Sequence, residues 1–277
     1  MGFLFGSAAV RIARSTSNTI ALINRRRSNF FVVTHPLKFT HSHANSQKGE
    51  RLNSSSRNEC ENSEIERKKI VAMTTAAKET VNNFPNWLQM ELKTDHAGEF
   101  GAVEIYRGAL LGARVRLYAG IGTDATKRMI SFCEHHITTE QAHFQAMEAL
   151  VPQHQRTKLL LLWRWAARGL GFFPALFGAR SLYWTVMAVE TFVEEHYMLQ
   201  IERLRCEKRR EQELPAMLKL LESFCADEVA HRKEAVKALF GRDDLAPKEL
   251  APGPIICLWC VVVDFGSRAA VRASKLL

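Results

Sequence analysis

The stretch Met129-Ile130-Ser131-Phe132-Cys133-Glu134-His135-His136-Ile137-Thr138-Thr139-Glu140-Gln141-Ala142-His143-Phe144-Gln145-Ala146-Met147 decides the fold of this 277-residue chain. Met129, Phe132, His136, Glu140, His143 and Met147, with Leu150 just beyond, recur at helical spacing as one face, and nothing alternates with period two. A carboxylate and an imidazole therefore sit on the face of a helix that should be buried. Residues three apart on a helix are neighbours, so Glu140 and His143 can reach one ion together.

Three more stripes of this kind follow when the reading moves outward. Leu88, Leu92, His96, Glu99, Val103, Tyr106 and Leu110 form one, ended by Gly120-Ile121-Gly122, after which Thr123 or Asp124 can cap the next helix. Tyr183, Val186, Glu190, Val193, Tyr197, Ile201 and Leu204 form another. The last is Leu214, Met217, Leu221, Phe224, Glu228, His231, Ala235 and Ala238, with Pro215 suited to a first helical turn. Each carries a Glu at mid-stripe, and Glu228-Val229-Ala230-His231 repeats the Glu-x-x-His spacing.

Burying one ionised carboxylate without compensation costs several kcal/mol. Four directed into one core require positive charge, and two divalent irons would supply it. A Glu from each of two helices plus Glu-x-x-His from each of the other two is the ligand set of ferritin-like dimetal bundles. The expected ligands are Glu99, Glu140, His143, Glu190, Glu228 and His231. Heights agree: Glu99 lies 21 residues before Gly120 and Glu140 lies 17 after Thr123, so an antiparallel pair brings them to one level at about 1.5 Å per residue. The expected fold is all-α, a ferritin-like four-helix bundle over 81–277 with a long apolar crossover and a C-terminal helix.

The ends of the chain read differently. Residues 1–49 hold Arg11, Arg14, Arg25, Arg26, Arg27, Lys38 and Lys48 and no acidic residue, the composition of a mitochondrial transit peptide. A secretory signal lacks its apolar core here, and Gly6 stands where myristoylation wants Ser or Thr. Of the net charge of +9, the remainder keeps +2, with 31 basic against 29 acidic residues, which argues against a nucleic-acid-binding face. Residues 50–80 are polar with little periodicity and read as a disordered linker. The single CxxC, Cys257 and Cys260, sits in an apolar run at 255–263 and reads as packing on a buried helix rather than metal or redox chemistry.

Asp95-His96-Ala97-Gly98-Glu99-Phe100-Gly101-Ala102 followed by Ile105-Tyr106 resembles the DHAGE(Y/F)GA segment of the demethoxyubiquinone hydroxylases, ferritin-like di-iron enzymes of ubiquinone biosynthesis. Glu140-Gln141-Ala142-His143, Ala188-Val189-Glu190 with His196-Tyr197, and Glu228-Val229-Ala230-His231 are similar to the remaining helices of that family. One departure is Thr191, where the family carries a second Glu; Glu194 and Glu195 come a turn later. Glu190 keeps the stripe position and the seven-residue distance to Tyr197, and Glu194 is the alternative ligand.

The resemblance implies two irons per chain, O₂ as co-substrate, NADH as reductant and a polyprenyl quinone as substrate. It also implies a peripheral site on the matrix side of the mitochondrial inner membrane and an accessory lipid-binding protein as partner. No GxGxxG is present, so NADH would be met without a Rossmann domain. Tyr197 is a candidate for electron or proton transfer, with a packed core tyrosine as the other reading. Asp95, His96, His196 and Asp227 are candidates to orient ligands from behind.

A greasy substrate needs an entrance from lipid. The crossover at 159–177 mixes Trp163, Trp165, Phe172 and Phe173 with Arg164, Arg168 and Pro174. That composition is too interrupted to span a bilayer and fits a segment lying on its surface, assisted by the run at 255–263. Two other functions compete: a ferritin- or rubrerythrin-like iron oxidase or peroxidase, which would use the same ligands, and a non-catalytic quinone-binding subunit, which would hold no stoichiometric iron.

Overall fold

Helical stripes of this length should pair antiparallel, and the computed structural model, which describes residues 50–207, 212–241 and 252–277, shows how. Helices α1 (Glu50–Lys78), α2 (Asn86–Tyr118), α3 (Thr123–Leu150), α4 (Leu160–Phe177), α5 (Ala179–Cys206), α6 (Pro215–Phe240) and α7 (Pro254–Leu276) follow in order. No strand occurs among the described residues. The fold is the expected ferritin-like bundle: α2, α3, α5 and α6 carry the four stripes, α4 is the crossover and α7 the C-terminal helix. Residues 1–49, read as a transit peptide, lie outside the described residues.

Turn chemistry sets the antiparallel pairs. Between α2 and α3, Gly120 (φ 69°) and Gly122 (φ 56°) adopt the left-handed region that glycine enters without steric cost. Gly122 occupies the N-cap position of α3 without a side-chain cap. Thr123 and Asp124, expected to cap, instead begin the helix, where Asp124 suits the positive end of the dipole. Only Gly178 (φ 122°) separates α4 from α5.

The span read as linker is a correction: α1 is helical, with Ile70 and Ala77 buried in the same core cluster as Leu88, Leu204 and Leu214. Ile70, Met73 and Ala77 make a narrow apolar stripe on an otherwise polar helix, too short to register against its neighbours in sequence.

The core has two main parts. One gathers Leu88, Leu92, Met147, Tyr197, Ile201 and Phe224; the other gathers Tyr106, Met129, Cys133, Leu182, Val186 and Ala235. Along each of the four helices the stripe glutamate falls between these two clusters. At about 1.5–3 kcal/mol per large side chain fully buried, the apolar ends hold together a polar middle that cannot stabilise itself.

Helix α4 lies against α2 at a glycine-made close approach. A Cβ on Gly171 would stand 1.8 Å from the Ile105 carbonyl oxygen, and one on Gly108 would stand 2.1 Å from that of Arg168. Buried Glu104 of α2 accepts from Arg168 of α4 and, at 2.7 Å, from Arg107. Antiparallel to α4 runs α7, joined to it by the Trp163 indole N–H donating to Ser274 Oγ (2.9 Å) and by Leu170 packed in one cluster with Trp259 and Val263. Cys257 is exposed and Cys260 half-buried, so the fully buried helix expected around this CxxC is corrected.

Candidate metal centre

Six side chains meet at the polar middle, and they are the six expected from the stripes. Glu99, Glu140, His143 and Glu228 place one ligand atom each within 4.8 Å of one another, and so do Glu140, Glu190, Glu228 and His231. All six are buried, with His143 and Glu140 wholly inaccessible. The two groups share Glu140 and Glu228. Glu99 with His143 stands on one side and Glu190 with His231 on the other.

The distances suit donors converging on ions. His143 Nδ1 lies 3.3 Å from Glu228 Oε1 and 3.6 Å from Glu99 Oε2, while His231 Nδ1 lies 3.0 Å from Glu140 Oε1 and 3.6 Å from Glu228 Oε2. Two donors each about 2.1 Å from one ion at a right angle stand about 3 Å apart. These nitrogens, both oxygens of Glu140, Glu99 Oε2 and Glu228 Oε1 have no hydrogen-bond partner. Buried polar atoms are satisfied as a rule, so a constellation with this many open lone pairs fits a pair of cations. Mixed imidazole and carboxylate donors suit iron among the first-row metals.

Electrostatics point the same way. Burial pushes Glu99 up to about 7 and raises Glu140 and Glu190, with repulsion from neighbouring glutamates adding to it. Burial opposes ionisation of Glu228 too, but His143 and His231 facing it hold it well below the usual carboxylate range. Both imidazoles are held well above their ordinary value despite burial, His143 by Asp227, Glu228 and Glu99 and His231 by Glu140 and Glu228. Without metal, protons therefore serve as the counter-charges of the cluster.

The surrounding residues divide. Asp227 meets His143 Nε2 at 3.0 Å and so turns Nδ1 toward the centre. The Tyr197 hydroxyl donates to Glu99 Oε1 in a short hydrogen bond. Asp95 lies one step further out, at 3.0 Å from His196 and 2.9 Å from Gln200. His96 is a correction to its expected orienting role: both ring nitrogens lack a partner, and the ring packs on Phe144 at 5.3 Å. Glu194, the alternative ligand, turns away and pairs with Arg232 at 2.8 Å.

Two contacts were not anticipated. The Tyr106 hydroxyl donates to Glu190 Oε1 at 3.3 Å, and His136 sets its ring edge-on against His231 at 4.4 Å while facing Glu234 at 3.2 Å. Both residues stand on the stripes, His136 one turn from Glu140 and Tyr106 two turns from Glu99, the signal that could have found them. Of the crossover aromatics, Trp165 (65% exposed) and Phe173 (58%) face outward, whereas Trp163 and Phe172 are half-buried.

Residues 86–274 match the family described as ubiquinone biosynthesis protein COQ7. The chain is 32% identical over 145 residues to the 3-demethoxyubiquinol 3-hydroxylase of Rhodospirillum rubrum, covering 51% of this chain and 60% of that protein. It is 30% identical over 141 residues to the NADPH-dependent 3-demethoxyubiquinone 3-hydroxylase, mitochondrial, of Dictyostelium discoideum, covering 50% and 59%. A Homo sapiens protein of that same name is 28% identical over 190 residues, 67% of this chain and 76% of its own length. The matched segment thus spans about three-fifths of the first two relatives. With a profile covering most of the chain and all six converging residues inside it, this protein belongs to the COQ7 ubiquinone biosynthesis family.

Proposed function

We propose that this chain is a di-iron monooxygenase that hydroxylates a polyprenylated demethoxy-benzoquinone or quinol in ubiquinone biosynthesis, using O₂ and electrons from a reduced nicotinamide nucleotide. The observation that carries it is the pair of four-donor groups sharing Glu140 and Glu228 in the heart of the bundle. Glu99 and His143 would hold one iron and Glu190 and His231 the other, with Glu140 and Glu228 common to both. Bound there, the irons supply the redox chemistry that activates O₂ for insertion into an electron-rich ring. The chain's part is positional. Asp227 fixes the His143 ring, Tyr197 and Tyr106 hold the Glu99 and Glu190 carboxylates by their hydroxyls, and the two apolar clusters keep water out. The sequence resemblance implied NADH; the relatives named above from Dictyostelium and Homo sapiens carry NADPH in their names, so the choice of nucleotide belongs to the assay.

The substrate's tail calls for a lipid-facing entrance. Leu161, Leu162, Trp165, Phe173 and Phe177 of α4 and Ile255, Leu258, Val262 and Phe265 of α7 are exposed apolar side chains on adjoining helices. By length and composition α7 could cross a membrane, with mean hydropathy 1.6. Its ties to the bundle through Trp259 to Thr185, Arg268 to Glu195 and Lys275 to Glu91 favour a helix lying on the bilayer. The relatives named mitochondrial support a mitochondrial location; within it, the exposed apolar face suits peripheral placement on the matrix side of the inner membrane, where a lipid-binding accessory protein would deliver substrate.

The test is purification under reducing conditions, iron quantification, and a quinone-product assay with O₂ and either NADH or NADPH. Near two irons per chain and a hydroxylated quinone are expected. Iron without quinone product but with peroxide turnover would favour an iron oxidase or peroxidase, and a chain without stoichiometric iron would be a quinone-binding subunit.

A further inference from the structure

Where α3 ends and α4 begins, a cavity of about 410 Å³ opens beside the exposed apolar face. Three guanidinium groups line it, Arg107, Arg156 and Arg164, against one carboxylate, Glu148. Arg156 is clamped at the end of α3, donating to Glu148 Oε1 (2.8 Å), the Glu148 carbonyl (2.9 Å) and the Val151 carbonyl (3.1 Å). Arg107 is tied to Glu104 at 2.7 Å. Arg164 lies over the Phe100 ring at 5.4 Å, and among the described residues no carboxylate pairs with it.

A second observation marks the inner wall. His96, wholly buried, lines the cavity with both ring nitrogens unpartnered. A buried imidazole without a hydrogen bond carries a desolvation cost that a ligand would relieve. The outer rim is apolar: Leu161 lines the mouth, and Leu162 and Trp165 stand exposed on the same helix, with Arg168 over the Trp165 ring at 5.9 Å.

We propose that this juxtaposition of Arg107, Arg156 and Arg164 with unpartnered His96, at the edge of the apolar α4 face, is a binding site for the phosphate of an anionic phospholipid headgroup. The inference rests on the membrane contact proposed above and specifies what the contact recognises. Charge complementarity selects the ligand. Arg107 and Arg156 pair with Glu104 and Glu148 while Arg164 does not, so the three guanidinium groups leave one net positive charge for the single negative charge of a phosphate diester, whose planar-fork recognition is what arginine does best. The adjoining Leu161, Leu162 and Trp165 would meet acyl chains, which a free phosphate lacks. The headgroup would thereby anchor the α3–α4 corner of the bundle at the bilayer, a few residues from the aromatics that enter it.

Flotation of the full chain with vesicles of phosphatidylcholine alone and of phosphatidylcholine mixed with phosphatidylglycerol tests this. Arg164→Gln, at an exposed position without an ion pair among the described residues, should keep its helix content by circular dichroism. It should lose roughly fivefold in partitioning to the anionic vesicles, the worth of one basic residue at such a surface, and change nothing on neutral ones. Lys219→Gln, at an exposed lysine of α6 outside the cavity, should lose less than twofold, and Arg164→Lys should recover only part of the loss. An equal loss for Lys219→Gln means diffuse attraction and overturns the site. So does wild-type binding that is the same on both vesicles, and if Trp165→Ser with Phe173→Ser still releases the protein, the membrane reading survives alone. Binding of wild type to neither vesicle refutes both. In a parallel arm, inorganic phosphate is compared with chloride at matched ionic strength. If phosphate displaces the protein from anionic vesicles down to the neutral level, the ligand is soluble phosphate and the lipid assignment falls.

Discussion

Replacing Glu190 and Glu194 separately by alanine should give crossed results, because the two carboxylates, one turn apart on α5, have opposite partners. Glu190 belongs to the four-donor group with Glu140, Glu228 and His231 and accepts from the Tyr106 hydroxyl at 3.3 Å. Burial, with Glu228 and Glu140 beside it, raises its carboxyl well above the usual carboxylate range. Removing it from the metal-free chain relieves a poorly satisfied buried carboxyl, a gain of about 1–3 kcal/mol. That gain is offset by lost packing of about 0.8 kcal/mol per methylene and by a small cavity. Stability should stay within about 1 kcal/mol of wild type while bound iron falls from two per chain toward one. Glu194 is the counter-ion of Arg232, at 2.8 Å, with side-chain exposures of 9% and 11%. Stranding that guanidinium should cost about 3 kcal/mol, as breaking a buried pair from one side does, with iron retained in the folded protein. Urea denaturation of the metal-free chains followed by circular dichroism reads the first quantity, and iron analysis of the reconstituted proteins reads the second. Two irons in Glu190→Ala together with iron loss at unchanged stability in Glu194→Ala would refute the reasoning and move the fourth donor to Glu194.

Three further outcomes follow from the same geometry. Glu99, Glu140 and Glu190 are raised above the usual 4.5 and His143 and His231 above 6.5. As pH climbs from about 5 to 8 the unfolded chain releases these protons before the metal-free fold does, and stability drops. Glu228, which is lowered, has the opposite sign but its contribution is already complete in that range, and His96 and His136, pushed down to about 4 by burial, oppose the drop only up to about 6.5, so the net fall is steepest above that. The melting temperature of the metal-free chain should therefore fall over this window and the stabilisation by added ferrous iron should grow; a flat profile in both would contradict the protonated cluster. Gly171→Ala should destabilise by about 2 kcal/mol or more, since its Cβ would meet the Ile105 carbonyl at 1.8 Å. Gly169→Ala, 3.6 Å from the Phe173 ring, should be neutral or slightly stabilising on thermal melting. Trp165→Ser with Phe173→Ser should release the protein from liposomes with iron still bound, whereas Trp163→Ser should chiefly lower stability by freeing Ser274; the reverse order would place the lipid-facing side of α4 elsewhere.

That these six side chains converge was legible in the sequence because helical periodicity is a local property. A Glu between Val103 and Leu92, or between Val186 and Val193, announces its inward direction from neighbours three and four residues away. The spacing within Glu140-Gln141-Ala142-His143 fixed two donors on one face for the same reason. Four buried acids with no cation on their stripes other than histidine then admit few solutions, and the dimetal bundle is one that nature reuses.

What the tertiary structure alone decided are relations between segments far apart in the chain. That Glu140 and Glu228 are the shared pair depends on how α3 and α6 face each other. Glu194 is claimed by Arg232, 38 residues on, and Trp163 by Ser274, 111 residues on, so neither a free acid nor an outward aromatic could be read from local pattern. The helical state of Glu50–Lys78 likewise rests on Ile70 and Ala77 finding a core built by residues 84–224. A helix whose apolar stripe is a few residues wide is stabilised chiefly by packing rather than by propensity, and packing partners are supplied only when the chain has folded.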